Sequence, residues 1–160
     1  MMGPGPGPGQ VQEVVEENNN PVNPNQPQIF NAVNGQNLMY MGGTGDDTFI
    51  AGTGKDTFQG GGGADKFVFT LGEGSSNANL MIAAAMADGI QDFDRTDGDK
   101  IKILDTDGVT PLATPFGSGT LTSDNVSMEG FTIVKVTGTT EVVFGVEDNM
   151  IFTDADVTVI

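Results

Sequence analysis

Large apolar side chains recur at a fixed interval through the middle of the chain, in otherwise small and polar surroundings. Tyr40, Phe49, Phe58 and Phe67 lie nine residues apart. Each ring has only a few strand-forming neighbours, so the pattern predicts very short strands, each with one inward aromatic. Neighbouring strands sit about 4.8 Å apart, which would stack the rings in a ladder. A different pattern follows. NANLMIAAAMADG (77–89) reads as a short helix over the end of the ladder, with Met81 and Met86 packed into the core. FTIVKV (131–136) and EVVFGV (141–146), joined by TGTT, predict a hairpin, and MIF (150–152) and VTVI (157–160) predict two short strands. Residues 1–28 run from Gly/Pro to Asn/Pro/Gln and offer too little apolar surface to offset the entropy of ordering. They are expected to be a disordered tail, leaving 29–160 as the folded domain.

The aromatic interval belongs to a fuller repeat. Stacked by nine, the chain reads GGTGDDTFI (42–50), AGTGKDTFQ (51–59) and GGGGADKFV (60–68). Glycine occupies the first, second and fourth places, Asp the sixth and Phe the eighth, with Ala51 the only departure. A weaker copy, VNGQNLMYM (33–41), keeps the aromatic but has Leu38 in the carboxylate place. A flexible Gly-rich linker has no need of Phe and Asp in fixed phase. Glycine admits tight turns and leaves backbone carbonyls accessible.

This frame resembles the repeats-in-toxin (RTX) nonapeptide, G-G-x-G-x-D-x-U-x, with U a large apolar residue. The resemblance implies a six-residue turn and a three-residue strand per copy. Successive turns would fall on alternate sides, two copies making one coil of a right-handed parallel β-roll, with calcium between turns stacked on the same side. The fold class expected is therefore all-β: a short roll with Gly/Asp turns over 33–69, a closing segment over 88–107, one short helix, and a mostly antiparallel part over 108–160.

Charge sharpens the chemistry. The chain has 22 acidic and 6 basic residues, a formal net charge of −16, and no His or Cys. That charge disfavours nucleic acid and anionic membranes as partners. Asp47 and Asp65, one coil apart, would repel if unbridged, and Ca²⁺–oxygen distances of about 2.3–2.6 Å let one ion fit between them. Glycine carbonyls would complete the shell. The candidate ligands on one side are Gly42, Gly43, Thr44, Gly45 and Asp47 with Gly60, Gly61, Gly62, Gly63 and Asp65. On the other side they are Gly52, Thr53, Gly54 and Asp56, with Glu73 as the later carboxylate. About two Ca²⁺ are expected, within a range of about one to three.

A second acidic stretch, Ile90 to Leu104, is similar to the segment closing the roll in serralysin-type proteases and alginate-epimerase modules, an I-x-D-F…D-K-I-x-L pattern. That likeness implies a share in the last calcium site for Asp92 and Asp99. It is not an EF-hand, because from Asp92 the sixth position is Asp97 rather than Gly and the twelfth is Ile103 rather than Glu. GTGKDT (52–57) is not a P-loop, since Asp56 stands where Ser or Thr is required.

Without His or Cys there is no zinc-protease motif, His-based triad or Cys nucleophile, and no G-x-S-x-G occurs. MMGPGPGPGQ (1–10) does not read as a signal peptide. Asp154 and Asp156 followed by Val157, Val159 and Ile160 resemble the ends of type I secretion substrates. The expectation is a secreted, non-enzymatic calcium-binding protein, extracellular or at the cell surface, exported by type I machinery and serving a surface, matrix or adhesion role. Two alternatives stand beside it: a calcium-dependent polysaccharide-binding module of the epimerase-accessory kind, and a small hydrolase.

Overall fold

The computed structural model describes residues 11–13, 24–125 and 130–160. The disorder expected for 1–28 falls largely outside them. Within that stretch, Val11–Glu13 is a strand, β1, and 24–28 forms the first turn of the roll.

From β2 onward, short strands of the roll alternate between two sheets. β1, β2 (Ile29–Asn31), β4 (Thr48–Ile50), β6 (Lys66–Thr70) and β9 (Lys100–Leu104) form one sheet, in that order and all parallel. β3 (Met39–Met41), β5 (Thr57–Gln59) and β8 (Asp88–Ile90) stack in parallel in the other. From β2 to β6 consecutive strands fall in opposite sheets, because a Gly-containing turn reverses the chain after each three-residue strand from β2 to β5. This is the parallel β-roll, and its core is the space between the sheets.

The nine-residue interval becomes two ring ladders. Phe30, Phe49 and Phe67 pair in register, with centroids 4.9 and 5.2 Å apart and planes within 6° and 9° of parallel. Tyr40 stacks on Phe58 at 5.6 Å in the opposite sheet. All five rings are buried, and each stabilises the fold by roughly 1.5–3 kcal/mol through burial. Beyond Phe67 and Phe58 the ladders continue as Ile101 and Ile90.

After β6 the roll is interrupted by β7 (Ser75–Ser76) and α1 (Leu80–Ala85). Asn79 caps α1, its side chain accepting from the amides of Met81 and Ile82. The helix lies where the sequence put it, but its orientation differs. Ala83, Ala84 and Ala87 are buried against Val142 and Ile133, whereas Met81, Ile82 and Met86 are about half exposed. The helix lies close on the sheet, so alanines occupy the contact and the long side chains turn outward.

The C-terminal part extends the second sheet. β12 (Glu141–Val146) pairs in parallel with β8, then antiparallel with β11 (Thr132–Val136), which pairs with β10 (Leu121–Asn125). The expected hairpin is β11–β12. The two expected terminal strands do not form. Thr153 and Asp156 close a capping box around a single 3-10 turn, Asp154–Asp156, which breaks any strand there. Residues 157–160 keep one bridge, Val157 to Ile101. Arg95 anchors this end: it bonds Asp156 at 2.6 and 3.0 Å and the Ile151 carbonyl at 2.6 Å, over the Phe152 ring.

Candidate metal centre

The turns stack along two edges of the roll, and a carboxylate stands at or just before the start of the strand at most levels. On the first edge these are Asp47, Asp65 and Asp99, with Gln28 in the equivalent place of the first coil. On the second edge they are Asp56 and Asp88, with Leu38 in the first coil. All five aspartates are buried.

Each carboxylate accepts the backbone N–H of its counterpart one coil earlier. Asp47 Oδ1 accepts from Gln28 at 3.0 Å, Asp65 Oδ1 from Asp47 at 2.9 Å, and Asp99 Oδ1 from Asp65 at 2.8 Å. On the second edge Asp56 Oδ1 accepts from Leu38 at 3.1 Å and Asp88 Oδ1 from Asp56 at 2.7 Å. The sixth-place Asp of the repeat thus ties one coil to the next.

The second oxygens differ. Asp47 Oδ2 accepts from Gly43 within its own turn, and Asp99 Oδ2 from Asp94. Asp92, the closing-segment acid, grips the amides of Gly60 and Gly61 at 2.7 and 2.8 Å. Among the described residues, Asp56 Oδ2 and Asp65 Oδ2 are buried with no hydrogen-bond partner. A buried unsatisfied carboxylate oxygen is costly, and a bound cation is one way to satisfy it.

The glycines are there because the coils approach closely. Gly61 and Gly63 adopt φ of 81° and 86°. A Cβ on Gly63 would lie 2.6 Å from the Gly45 carbonyl, and one on Gly61 would overlap the Gly43 carbonyl. A Cβ on Gly60 would occupy the place faced by Asp65 Oδ2. Oxygens therefore face the gap between turns 42–47 and 60–65, and the Asp46 side chain crosses it, its Oδ1 accepting from Ala64 N at 2.8 Å. Across it Gly62 N donates to Gly43 O, while Thr44 turns to Asn25. On the second edge Thr53 N donates to Asn34 Oδ1, and Gly54 adopts φ of 98° against the Gln36 carbonyl.

Among the described residues no three carboxylates converge as a ready metal cluster. Turn 42–47 brings Asp46 and Asp47 and turn 60–65 only Asp65, and Asp46 Oδ1 is already taken by Ala64 N, so most ligands at such a site would be backbone carbonyls. Hard oxygen donors of this kind suit Ca²⁺, whose coordination sphere is large and adaptable. The orphaned oxygens and glycine-floored gaps fit that ion.

Burial dominates the electrostatics. It pushes the carboxyls of Asp47, Asp56 and Asp99 up to about 6, against partial relief from the backbone N–H bonds. It raises Asp65 and Asp88 to about 8, with neighbouring carboxylates adding to the effect.

Glu73 is exposed on the loop after β6 and does not enter the ladder, although it lines the same cleft as Asp88, Thr53 and Gly54. Asp88 takes the rung. The signal for it was present in the sequence: ADGIQ (87–91) repeats the second half of the nonapeptide, with Asp88 in the sixth place and Ile90 in the eighth. The intervening helix hides the phase.

Among the described residues no helix is long and apolar enough to cross a membrane. A comparison with curated proteins finds no match. Among solved structures the chain is similar to the solution structure of the AlgE6R3 subunit from the Azotobacter vinelandii mannuronan C5-epimerase, with 23% identity over 83% of this chain and 76% of that one, and a TM-score of 0.39. Residues 41–74 match the family model of the RTX calcium-binding nonapeptide repeat (4 copies). With glycines, Asp rungs and inward rings in that phase, residues 41–74 carry RTX calcium-binding nonapeptide repeats.

Proposed function

We propose that this protein is a secreted, non-enzymatic module whose roll is completed by calcium outside the cell, in a surface, matrix or adhesion role. The observation that carries the reading is the pair of buried, unpartnered oxygens, Asp65 Oδ2 on one edge and Asp56 Oδ2 on the other. They favour about two ions, one on each edge. Asp65 would share its ion with the carbonyls of turns 42–47 and 60–65, and Asp56 with turn 51–56 and Asp88.

Calcium supplies charge neutralisation between stacked turns. The chain supplies the rest. Asp side chains tie coil to coil through backbone amides, glycines keep the gaps open, and the ring ladders exclude water from between the sheets. At the low free Ca²⁺ inside a cell the buried carboxylates oppose stacking, which suits a chain exported unfolded. Outside, binding and folding are coupled. A free concentration about 100 times Kd adds about 2.7 kcal/mol per site.

Calorimetric titration with Ca²⁺, read alongside far-ultraviolet circular dichroism, tests this. The expected result is about two ions per chain and a gain of β signal on binding. No heat of binding, with identical spectra in EDTA and in excess Ca²⁺, would sink the reading. Secretion is tested separately, by following export with and without residues 150–160 in a host carrying a type I system.

A further inference from the structure

The first coil differs from all that follow it. No acidic or basic residue occurs between Glu17 and Asp46, and carboxamides stand where later coils use glycine or Asp. One of them, Asn34, is followed by Gly35, the only Asn-Gly pair in the chain. Both residues are exposed in the turn after β2.

We propose that Asn34 is a deamidation site whose reaction is gated by stacking of the roll. The Gly35 backbone nitrogen attacks Asn34 Cγ, forming a new N–C bond. The Cγ–N bond to the side-chain amide breaks, and that nitrogen leaves as ammonia. Water then opens the cyclic imide at either carbonyl, leaving an aspartate or an isoaspartate at position 34. Glycine makes the attack sterically open, and nothing lies within 4 Å of where a Gly35 Cβ would be.

In the stacked roll both reacting groups are held by one residue of the next coil. Gly35 N donates to the Thr53 carbonyl and to Thr53 Oγ1, each at 3.0 Å. Asn34 Oδ1 accepts from Thr53 N, also at 3.0 Å. The nucleophile and the amide are thereby fixed on Thr53 rather than on each other, and ring closure requires the turn to lift from the coil below. Deamidation marks the time the chain spends unstacked. Its product matters because the Asn34 side chain lies over Gly52 on the edge that carries Asp56. A carboxylate there adds charge to an edge already strained by it, and an isoaspartate lengthens the backbone and breaks register with Thr53. The link to calcium rests on the function proposed above, whereas the link to stacking does not.

The test is peptide mapping by mass spectrometry after incubation at mildly alkaline pH in excess Ca²⁺, in EDTA and in urea, with circular dichroism of each sample. Asn37, in the same turn but followed by Leu38, is the internal comparison, and N34Q is the control for site assignment. The expected result is conversion at Asn34 in urea, selective over Asn37, and slowed about tenfold or more in the folded protein. Equal rates in urea and in the folded state, or no selective conversion in urea, would overturn the proposal. If Ca²⁺ and EDTA samples share one folded spectrum and both are protected relative to urea, stacking is the gate and calcium is not what produces the stacking.

Discussion

The Asp65 carboxylate accepts the backbone N–H of Asp47 at 2.9 Å, from the turn one coil earlier on the same edge. One oxygen of this side chain is structural, and the other, buried and unpartnered, is the one the proposed function assigns to calcium. The two roles are separable by substitution.

Asp65→Asn keeps an acceptor for Asp47 N and removes the charge. It should leave the calcium-free chain no less folded and abolish one binding event, removing about 2.7 kcal/mol of calcium-dependent stabilisation at 100 times Kd. Asp65→Ala loses both roles and should be destabilised even at saturating calcium. Titration calorimetry and thermal melts of the two variants distinguish them. Asp56→Asn should repeat the pattern on the opposite edge, leaving the other ion in place.

The buried carboxyls have folded-state values near 6 for Asp47, Asp56 and Asp99 and near 8 for Asp65 and Asp88, against 3.8 as the ordinary value. The folded, calcium-free roll therefore holds protons that the unfolded chain releases. Its stability is greatest below about pH 4 on this account and is lost as pH rises towards 8. Urea melts in EDTA should show the midpoint falling over that window. Calcium affinity should run the other way, strengthening as pH rises, because protons and calcium compete for the same oxygens.

Phe49 lies between Phe30 and Phe67, stacked on both. Phe49→Ala should cost about 3–5 kcal/mol and open a cavity across three coils. Saturating calcium should fail to restore the full β signal by circular dichroism, whereas an exposed change such as Val109→Ala should be silent.

Arg95 and Asp156 join the closing segment to the C-terminal end, with Asp156 buried and Arg95 partly exposed. Arg95→Ala strands a buried carboxylate and should lower stability by about 1–3 kcal/mol. Asp156→Asn should cost less, because an amide oxygen still accepts from Thr153 N. Melting temperatures of both variants in excess Ca²⁺ check the order.

The repeat was legible because its spacing is rigid. Nine residues per half-coil with Gly, Asp and Phe in phase leave few arrangements other than stacked turns over inward rings, and both ladders follow from Tyr40, Phe49, Phe58 and Phe67. Asp88 was hidden, since its half-motif follows residues 69–86, which depart from that phase, and only pairing with β5 restores it. The helix was legible as an element, but the side it buries was not. Apolar Met and Ala look alike in a hydropathy pattern, and the narrow gap against Val142 and Ile133 admits only the smaller.

Local chemistry written along the chain therefore settles the roll, its two edges and the oxygen character of its sites, because each is a consequence of a short-range period. Which oxygen remains free is a different kind of fact. Asp47, Asp56 and Asp65 stand in identical places in their repeats, yet Asp47 Oδ2 is satisfied by Gly43 while the other two are not. That distinction depends on the hydrogen bonds the stacked coils make and on the residues packed at each end of the roll, which lie many positions away in sequence and come together only when the chain is wound.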